Sequence, residues 1–245
     1  MPKYLQRLIA SVRGRLYGLK SKSIRELPFD ALLNGEFKEL VHSGFNTDWL
    51  AELGIKPRVI VDLGSFDGGD AYRFKKTFPA ARVVTVEADP TRYKIVKDTL
   101  MGEDIETLNC AACAIDAEID WYTSTIDGEI HAQGSIYQHS GAYKKRFPTV
   151  KQTSEPYKVL GRRFDTFAKE QEINQIDLLH MDIEGAEHNV LQTLGDARPK
   201  LIYLEWREGF FQGKACGPDS EALLKSMNYK LILKKTADRM YIFSE

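Results

Sequence analysis

No stretch of this 245-residue chain approaches the roughly 20 consecutive apolar residues of a membrane span. The N-terminus also lacks an apolar core followed by a small-residue cleavage site, so the protein is expected in the cytoplasm. Cysteine is scarce: Cys110, Cys113 and Cys216 are too few for a disulfide framework, and the odd count fits a reducing compartment. Cys110 and Cys113 share a C-x-x-C spacing, but no second C-x-x-C or H-x-x-H accompanies it. They read as two small half-buried thiols rather than half a zinc site or a redox pair. Charge of one sign is missing as well: 34 basic and 35 acidic residues leave a formal net charge of -1. That balance gives no whole-chain attraction for nucleic acid, and none is expected as a partner.

The first 25 residues lack acids altogether. They carry Lys3, Arg7, Arg13, Arg15, Lys20, Lys22 and Arg25 among apolar positions 5, 8, 9, 12, 16 and 19. This spacing predicts an amphipathic basic helix or two short ones, which can lie on an anionic membrane surface or pack on the domain itself. Residues 1–50 therefore read as an N-terminal helical extension, and residues 51–245 as one catalytic-sized domain.

From residue 57 the pattern becomes regular. "RVIVDLG" predicts a buried strand, "DAYRFKKTFP" a helix stopped by Pro79, "RVVTVEAD" a second strand, and "PTRYKIVKDTLM" a helix opened by Pro90. The alternation resumes with helix "FDTFAKEQEI", strand "IDLLHMDIEG", helix "AEHNVLQTLG" and strand "KLIYLEW", and a further helix is expected at about 219–227. "YKLILKK" and "RMYIFS" close the chain as its one expected antiparallel hairpin. The fold class is α/β: a doubly wound, mostly parallel seven-stranded sheet with a C-terminal antiparallel hairpin. Residues 117–160 break the rhythm. After the exposed strand "EIDWYTSTI" they are polar, aromatic-rich and without helical periodicity, and read as a long loop insertion.

In an open parallel sheet, ligands bind beyond the carboxyl ends of the strands. Asp62 and Gly64 stand at the end of the first strand and Glu87 at the end of the second, the separation a ribose-binding carboxylate requires. A dinucleotide fingerprint would read G-x-G-x-x-G, whereas here Gly64 is followed by three other residues and then Gly68 and Gly69. Asp67 and Asp70 crowd that turn. Acids there repel a pyrophosphate but suit a cofactor with an ammonium and a sulfonium, which S-adenosylmethionine has. An NAD-dependent oxidoreductase is the disfavoured alternative, and a non-catalytic glycan- or cofactor-binding protein is another.

Five segments in order, "VIVDLGSFDGG", "VVTVEADP", "NCAACAID", "RRFDTF" and "IDLLHMDIEGAEHNVLQTL" followed by "PKLIYLEW", resemble the FkbM family of S-adenosylmethionine-dependent methyltransferases over about residues 57–207. The resemblance implies a class I methyltransferase sheet. Asp62, Gly64, Ser65 and Asp67 would shape the methionine end, with Glu87 on the ribose hydroxyls. Ala88 and Asp89 would lie along the adenosine, Ala111 and Ala112 beside the adenine, and Asp182 at the methionine amine or the acceptor. Phe66, where the family often has Asn, and His180, where Lys is common, depart from its pattern. The implied reaction is O-methylation of a hydroxyl on a carbohydrate or glycolipid precursor, with a small molecule or glycan as partner.

Taking the proton from a hydroxyl during attack requires a base. Asp182 and Glu205 end strands at the ligand edge and come first, and His180 lies on the same strand as Asp182, one step deeper. His188, His131 and His139 are more remote candidates. Glu184, Ser135, Tyr137 and Trp206 are assigned to the acceptor, the aromatics as a platform for a sugar ring. Asp182, Glu184 and Glu205 could gather as an oxygen site for Mg2+, but no dense acidic motif demands one, and no metal is expected.

Overall fold

A computed structural model describes residues 50, 53–213, 216–235 and 237–244. The basic segment over 1–25, and the extension it belongs to, lie outside the described residues. No helix among those described is long and apolar enough to cross a membrane.

The main sheet contains β1 (Val59–Leu63), β2 (Arg82–Glu87), β3 (Glu106–Asn109), β9 (Leu178–Met181), β10 (Leu201–Glu205), β11 (Tyr229–Lys235) and β12 (Asp238–Phe243). Their spatial order is β11-β12-β10-β9-β1-β2-β3. Pairing is parallel from β3 through β10, and antiparallel only where β12 meets β10 and β11. This is the expected doubly wound, mostly parallel seven-stranded sheet with its terminal hairpin.

Alternate strand residues feed two cores. Val61, Val84, Leu179 and Ile202 pack on one face, and Ile60, Val83, Leu178 and Leu201 on the other. Burial on both faces explains why these strands read as continuous apolar runs. Order reverses at β1: the chain winds outward to β2 and β3, then returns to β9 on the other side. A crevice therefore opens beyond the carboxyl ends of β1 and β9.

Helix α1 (Gly69–Thr77) buries Ala71 and Phe74 against the sheet, and α2 (Pro90–Thr99) begins at an Asp89 cap. The Asp89 side chain accepts from the backbone N–H groups of Thr91 at 2.8 Å and Arg92 at 3.2 Å, with Pro90 preset for the first turn. Helices α4 (Phe164–Glu170), α5 (Glu187–Gln192) and α6 (Pro218–Ser226) complete the expected alternation.

Residues 117–160 correct the sequence reading. They are not a loop but most of a second sheet. Strands β4 (Ala111–Ala112), β5 (Glu118–Ile126), β6 (Glu129–Ser135) and β8 (Tyr157–Arg162) lie in the order β4-β8-β5-β6, and short β7 (Lys151–Gln152) also pairs with β5. A short helix, α3 (Gly141–Arg146), follows β6. The β5–β6 pair is thus a second antiparallel hairpin, beside the terminal one. Strand β5 was read as such, whereas β6 was illegible because its register with β5 shifts between Tyr122 and Ser124, which breaks the two-residue period.

A polar row runs across the main sheet. Asp62 is 0% exposed; Thr85 donates its hydroxyl to Asp62 Oδ2 at 2.7 Å, and His180 Nδ1 lies 2.7 Å from Asp62 Oδ1. The His180 ring stacks on Tyr203 at 5.5 Å and meets Phe74 edge-on at 5.6 Å. Replacing Asp62 with alanine would remove the acceptor of the Thr85 hydroxyl and the carboxylate beside His180 Nδ1. Asp62→Ala is expected to lower unfolding free energy by about 2–4 kcal/mol. Urea denaturation checks this, and an unchanged midpoint would show that the row carries no stability.

Candidate active site

The crevice is a cleft enclosing about 720 Å³ of space free of protein atoms, open solvent at its mouth included. Its floor comes from the strand ends of the main sheet: Gly64, Phe66, Glu87, Ala88, Asp89, Asp182 and Glu184. Its roof is the second sheet, through Trp121, Thr123, Ile130, His131, Gly134 and Ile136, while Ala111 and Ala112 form a wall. The segment that reads as an insertion therefore covers the site.

Gly64 sets the approach at one end. Its φ is +92°, and its backbone packs so tightly on the residue after β9 that a Cβ would sit 1.9 Å from the Asp182 carbonyl oxygen. Only glycine fits both constraints. Asp182 N–H donates to Leu63 O at 3.0 Å, and the Gly64 and Ser65 N–H groups both donate to Val86 O at 3.0 Å. The turn is thereby tied to β1, β2 and the end of β9.

Glu87 lies at the middle of the floor, with its carboxylate oxygens each accepting a backbone N–H: Oε2 from Phe66 at 2.7 Å and Oε1 from Asp89 at 2.8 Å. Burial pushes its pKa up to about 7, although those two N–H bonds pull the other way. Phe66 adopts φ +53°, and the Arg92 guanidinium lies 4.0 Å over its ring. Arg92 also donates to Ile130 O, joining the floor to the roof.

At the other end three carboxylates converge. Asp182 follows β9, Glu184 lies in the turn after it and Glu205 ends β10, with one oxygen from each within 4.8 Å of the others. Parallel pairing of β9 with β10 brings them together. Arg207 Nε donates to Glu205 Oε2 at 2.6 Å and lies 3.6 Å from Glu184 Oε2. Burial, reinforced by the Asp182 charge, raises the pKa of both Glu184 and Glu205. Burial works against the Arg207 charge, yet Glu184 and Glu205 hold its pKa above the usual guanidinium value.

Glu184 itself has φ +48°, and its turn is fastened from several sides. Ser135 donates its hydroxyl to Glu184 O at 2.7 Å. The Glu187 carboxylate accepts from Ile183 N at 3.2 Å and Gly185 N at 3.1 Å, so Glu187, not Glu184, serves the start of α5.

Gly64, Glu87, Ala88, Asp89, Ala111, Ala112, Asp182 and Glu184 thus line the cleft as the sequence suggested, and Glu205 joins its acidic end. Others do not. Asp62 and His180 pair in the polar row; register across β2, β1 and β9 puts them side by side, and neither is in the cleft lining. Ser65 is buried outside the lining, and Asp67 is exposed and accepts from Gly69 N at 2.9 Å. Ser135 and Tyr137 hold structure: Tyr137 Oη accepts from Asn189 at 2.7 Å, and its ring packs against Gly213. Trp206 packs on the core beneath Arg239 and is not in the cleft lining.

The sequence reading missed Arg92, Thr123 and Arg207. Arg207, two residues past an acid already singled out, was the one within reach. His131, considered only on condition that its segment folded over the site, does line the cleft.

A family model described as the Methyltransferase FkbM domain matches residues 62–231. The 2-O-methyltransferase NoeI of Sinorhizobium fredii (strain NBRC 101917 / NGR234) is 32% identical over 162 residues, covering 61% of this chain and 63% of that protein. The matched stretch is thus less than two thirds of that relative. Among solved structures, a methyltransferase FkbM from Methylobacillus flagellatus KT has a TM-score of 0.47 at 13% identity, covering 77% of this chain and 44% of its own. A putative caffeoyl-CoA O-methyltransferase from Staphylococcus aureus has a TM-score of 0.48 at 12% identity, covering 97% of this chain and 100% of its own. Likeness at that level says nothing about substrate.

Proposed function

The chain belongs to the Methyltransferase FkbM domain family, and on that premise we propose that it transfers a methyl group from S-adenosylmethionine to a hydroxyl of a carbohydrate or glycolipid precursor. The observation that carries the reading is Glu87, a carboxylate fixed by two backbone N–H groups at the end of the second strand with its free lone pairs toward the cleft. Such a group accepts from a pair of ribose hydroxyls. Around it the residues fit the cofactor: Ala88, Ala111 and Ala112 leave room for a flat ring, and the Gly64 turn admits close backbone approach. Asp182, exposed at the acidic end of the cleft, supplies negative charge of the kind a sulfonium and an ammonium require.

The similarity to a 2-O-methyltransferase supports oxygen as the acceptor atom. When bound, S-adenosylmethionine supplies an electrophilic methyl carbon, the carbon–sulfur electron pair returning to sulfur as the carbon–oxygen bond forms. The chain's own work is alignment, exclusion of water by the second sheet, and removal of the hydroxyl proton at the acidic end around Asp182. A basic 1–25 segment suits work at an anionic membrane surface.

The test is transfer of tritium from methyl-labelled S-adenosylmethionine to glycans carrying free hydroxyls. Label that survives mild base is expected, because an ether resists conditions that cleave a methyl ester. Base-labile label, or cofactor binding with no transfer to any hydroxyl acceptor, would overturn the reading, the latter in favour of a non-catalytic cofactor-binding protein.

A further inference from the structure

We propose that Asp182, Glu184 and Glu205 form a site for a small, hard divalent cation of the Mg2+ or Mn2+ class, which holds and acidifies the acceptor hydroxyl. Its catalytic purpose rests on the methyl-transfer reading; its existence does not.

Each of the three residues offers one carboxylate oxygen, and all three lie within 4.8 Å of one another. Around a six-coordinate cation with bonds near ~2.1 Å, ligand oxygens lie about 3 Å apart when adjacent and about 4.2 Å when opposite. Small side-chain rotations close the remaining gap. No histidine or cysteine belongs to the set, so its chemistry favours Mg2+ or Mn2+ over Zn2+ or Cu2+.

A second observation separates this cluster from a chance gathering of acids. Glu184 is 5% exposed, and its Oε2 has no hydrogen-bond donor among the described residues. Arg207, the nearest cation, donates to Glu205 and stands 3.6 Å from Glu184, beyond hydrogen-bond reach. Three carboxylates face one guanidinium, leaving two negative charges in excess when all are ionised. A buried carboxylate oxygen in that position needs a proton or a cation, and a divalent ion balances the excess.

The turn carrying Glu184 is also built beforehand. Ser135 fastens its carbonyl from the second sheet, and Gly185 at φ +101° leaves no room for a Cβ, which would fall 2.6 Å from the Phe211 ring. Tyr143 is fully buried, and its hydroxyl has no hydrogen-bond partner among the described residues. Asp182 remains exposed and lines the cofactor cleft, so a cation held there keeps open positions for water and an acceptor oxygen. Bound to the cation, the acceptor hydroxyl releases its proton to water. Its oxygen then takes the methyl group, and the carbon–sulfur pair stays on sulfur.

The experiment is an Mn2+ titration of the full chain, freed of metal by a chelator and read from the electron paramagnetic resonance of free Mn2+. S-adenosylhomocysteine calorimetry and thermal melts are run on the same preparations. The expected result is one Mn2+ per chain, displaced by Mg2+ and weakened about tenfold or more in both Glu184→Gln and Glu205→Gln. Chelation should stop methyl transfer and Mg2+ restore it. No uptake by folded wild-type protein at millimolar Mn2+, or equal uptake by wild type and a folded variant, overturns the proposal. Should Glu184→Gln fail to fold, Glu205→Gln decides alone. S-adenosylhomocysteine binding without Mn2+ uptake defeats the cation site and leaves the methyltransferase reading. Mn2+ uptake weakened in the variants, with no S-adenosylhomocysteine binding, supports the cation site and defeats that reading instead.

Discussion

Gly64→Ala is expected to abolish cofactor binding and to destabilise the protein by about 3 kcal/mol or more. Two costs act together. The residue has φ +92°, where an L side chain is strained. The new Cβ would also meet the Asp182 carbonyl oxygen at 1.9 Å and its carbonyl carbon at 2.8 Å. Both obstacles are backbone atoms, so no rotamer change relieves them. Relief requires β1 and β9 to part at their carboxyl ends, which breaks the Asp182 N–H bond to Leu63 O and moves Asp182 relative to Glu87. S-adenosylhomocysteine affinity should then fall by about a hundredfold or more, about 2.7 kcal/mol. Calorimetry with urea unfolding tests both parts. Wild-type affinity and stability together would mean that the strands tolerate separation and that the floor of the site is not set by this contact.

The main sheet was legible because its strands, buried on both faces, write themselves as apolar runs, and its turns carry residues with one purpose each, such as the Pro90 helix start. The position of Glu87 in the cleft was legible for the same reason, because it follows from a place at a strand end. Asp62 and His180 occupy equally suggestive places, yet what they touch is decided by the register between strands 118 residues apart in sequence, which no local pattern records. The second sheet was illegible where the β5–β6 register shifts, and with it went the roof, including the carbonyl of Ile130 that holds Arg92. The acidic end lies between these cases. Asp182 and Glu205 were named from their strand ends and Glu184 as an acid of the acceptor end, but only the β9–β10 pairing shows that they meet, and only the structure shows Arg207 between Glu205 and Glu184.

Glu87→Gln should weaken S-adenosylhomocysteine binding by about 10- to 100-fold, the worth of one or two hydrogen bonds to a charged acceptor. The amide also cannot replace the carboxylate towards its neighbours: Glu87 Oε1 and Oε2 each accept a backbone N–H, and an amide nitrogen in either place opposes one of them. The pH dependence isolates the charge. Burial holds the Glu87 pKa up at about 7, above the ordinary 4.5, so below that pH the group is mostly protonated and meets ribose hydroxyls as a poorer acceptor. Wild-type affinity should therefore rise with pH from about 6 to about 8, with a limiting slope near tenfold per unit on the acid side. Stability of the free protein moves oppositely. A carboxyl whose folded pKa is raised contributes stability fully below its unfolded pKa and loses it as pH climbs through the folded value. For Glu87 the loss approaches about 3 kcal/mol, to order of magnitude, between the ordinary pKa and one unit above 7. Glu87→Gln removes that component, so as pH rises through the window where wild-type affinity grows, a drop of the wild-type melting temperature relative to the variant's should appear. Bound S-adenosylhomocysteine should narrow it, because the ribose donors favour the ionised carboxylate. A wild-type binding curve flat from pH 6 to 8 would place the cofactor's ribose away from Glu87, and with it the orientation of the whole cleft would reverse.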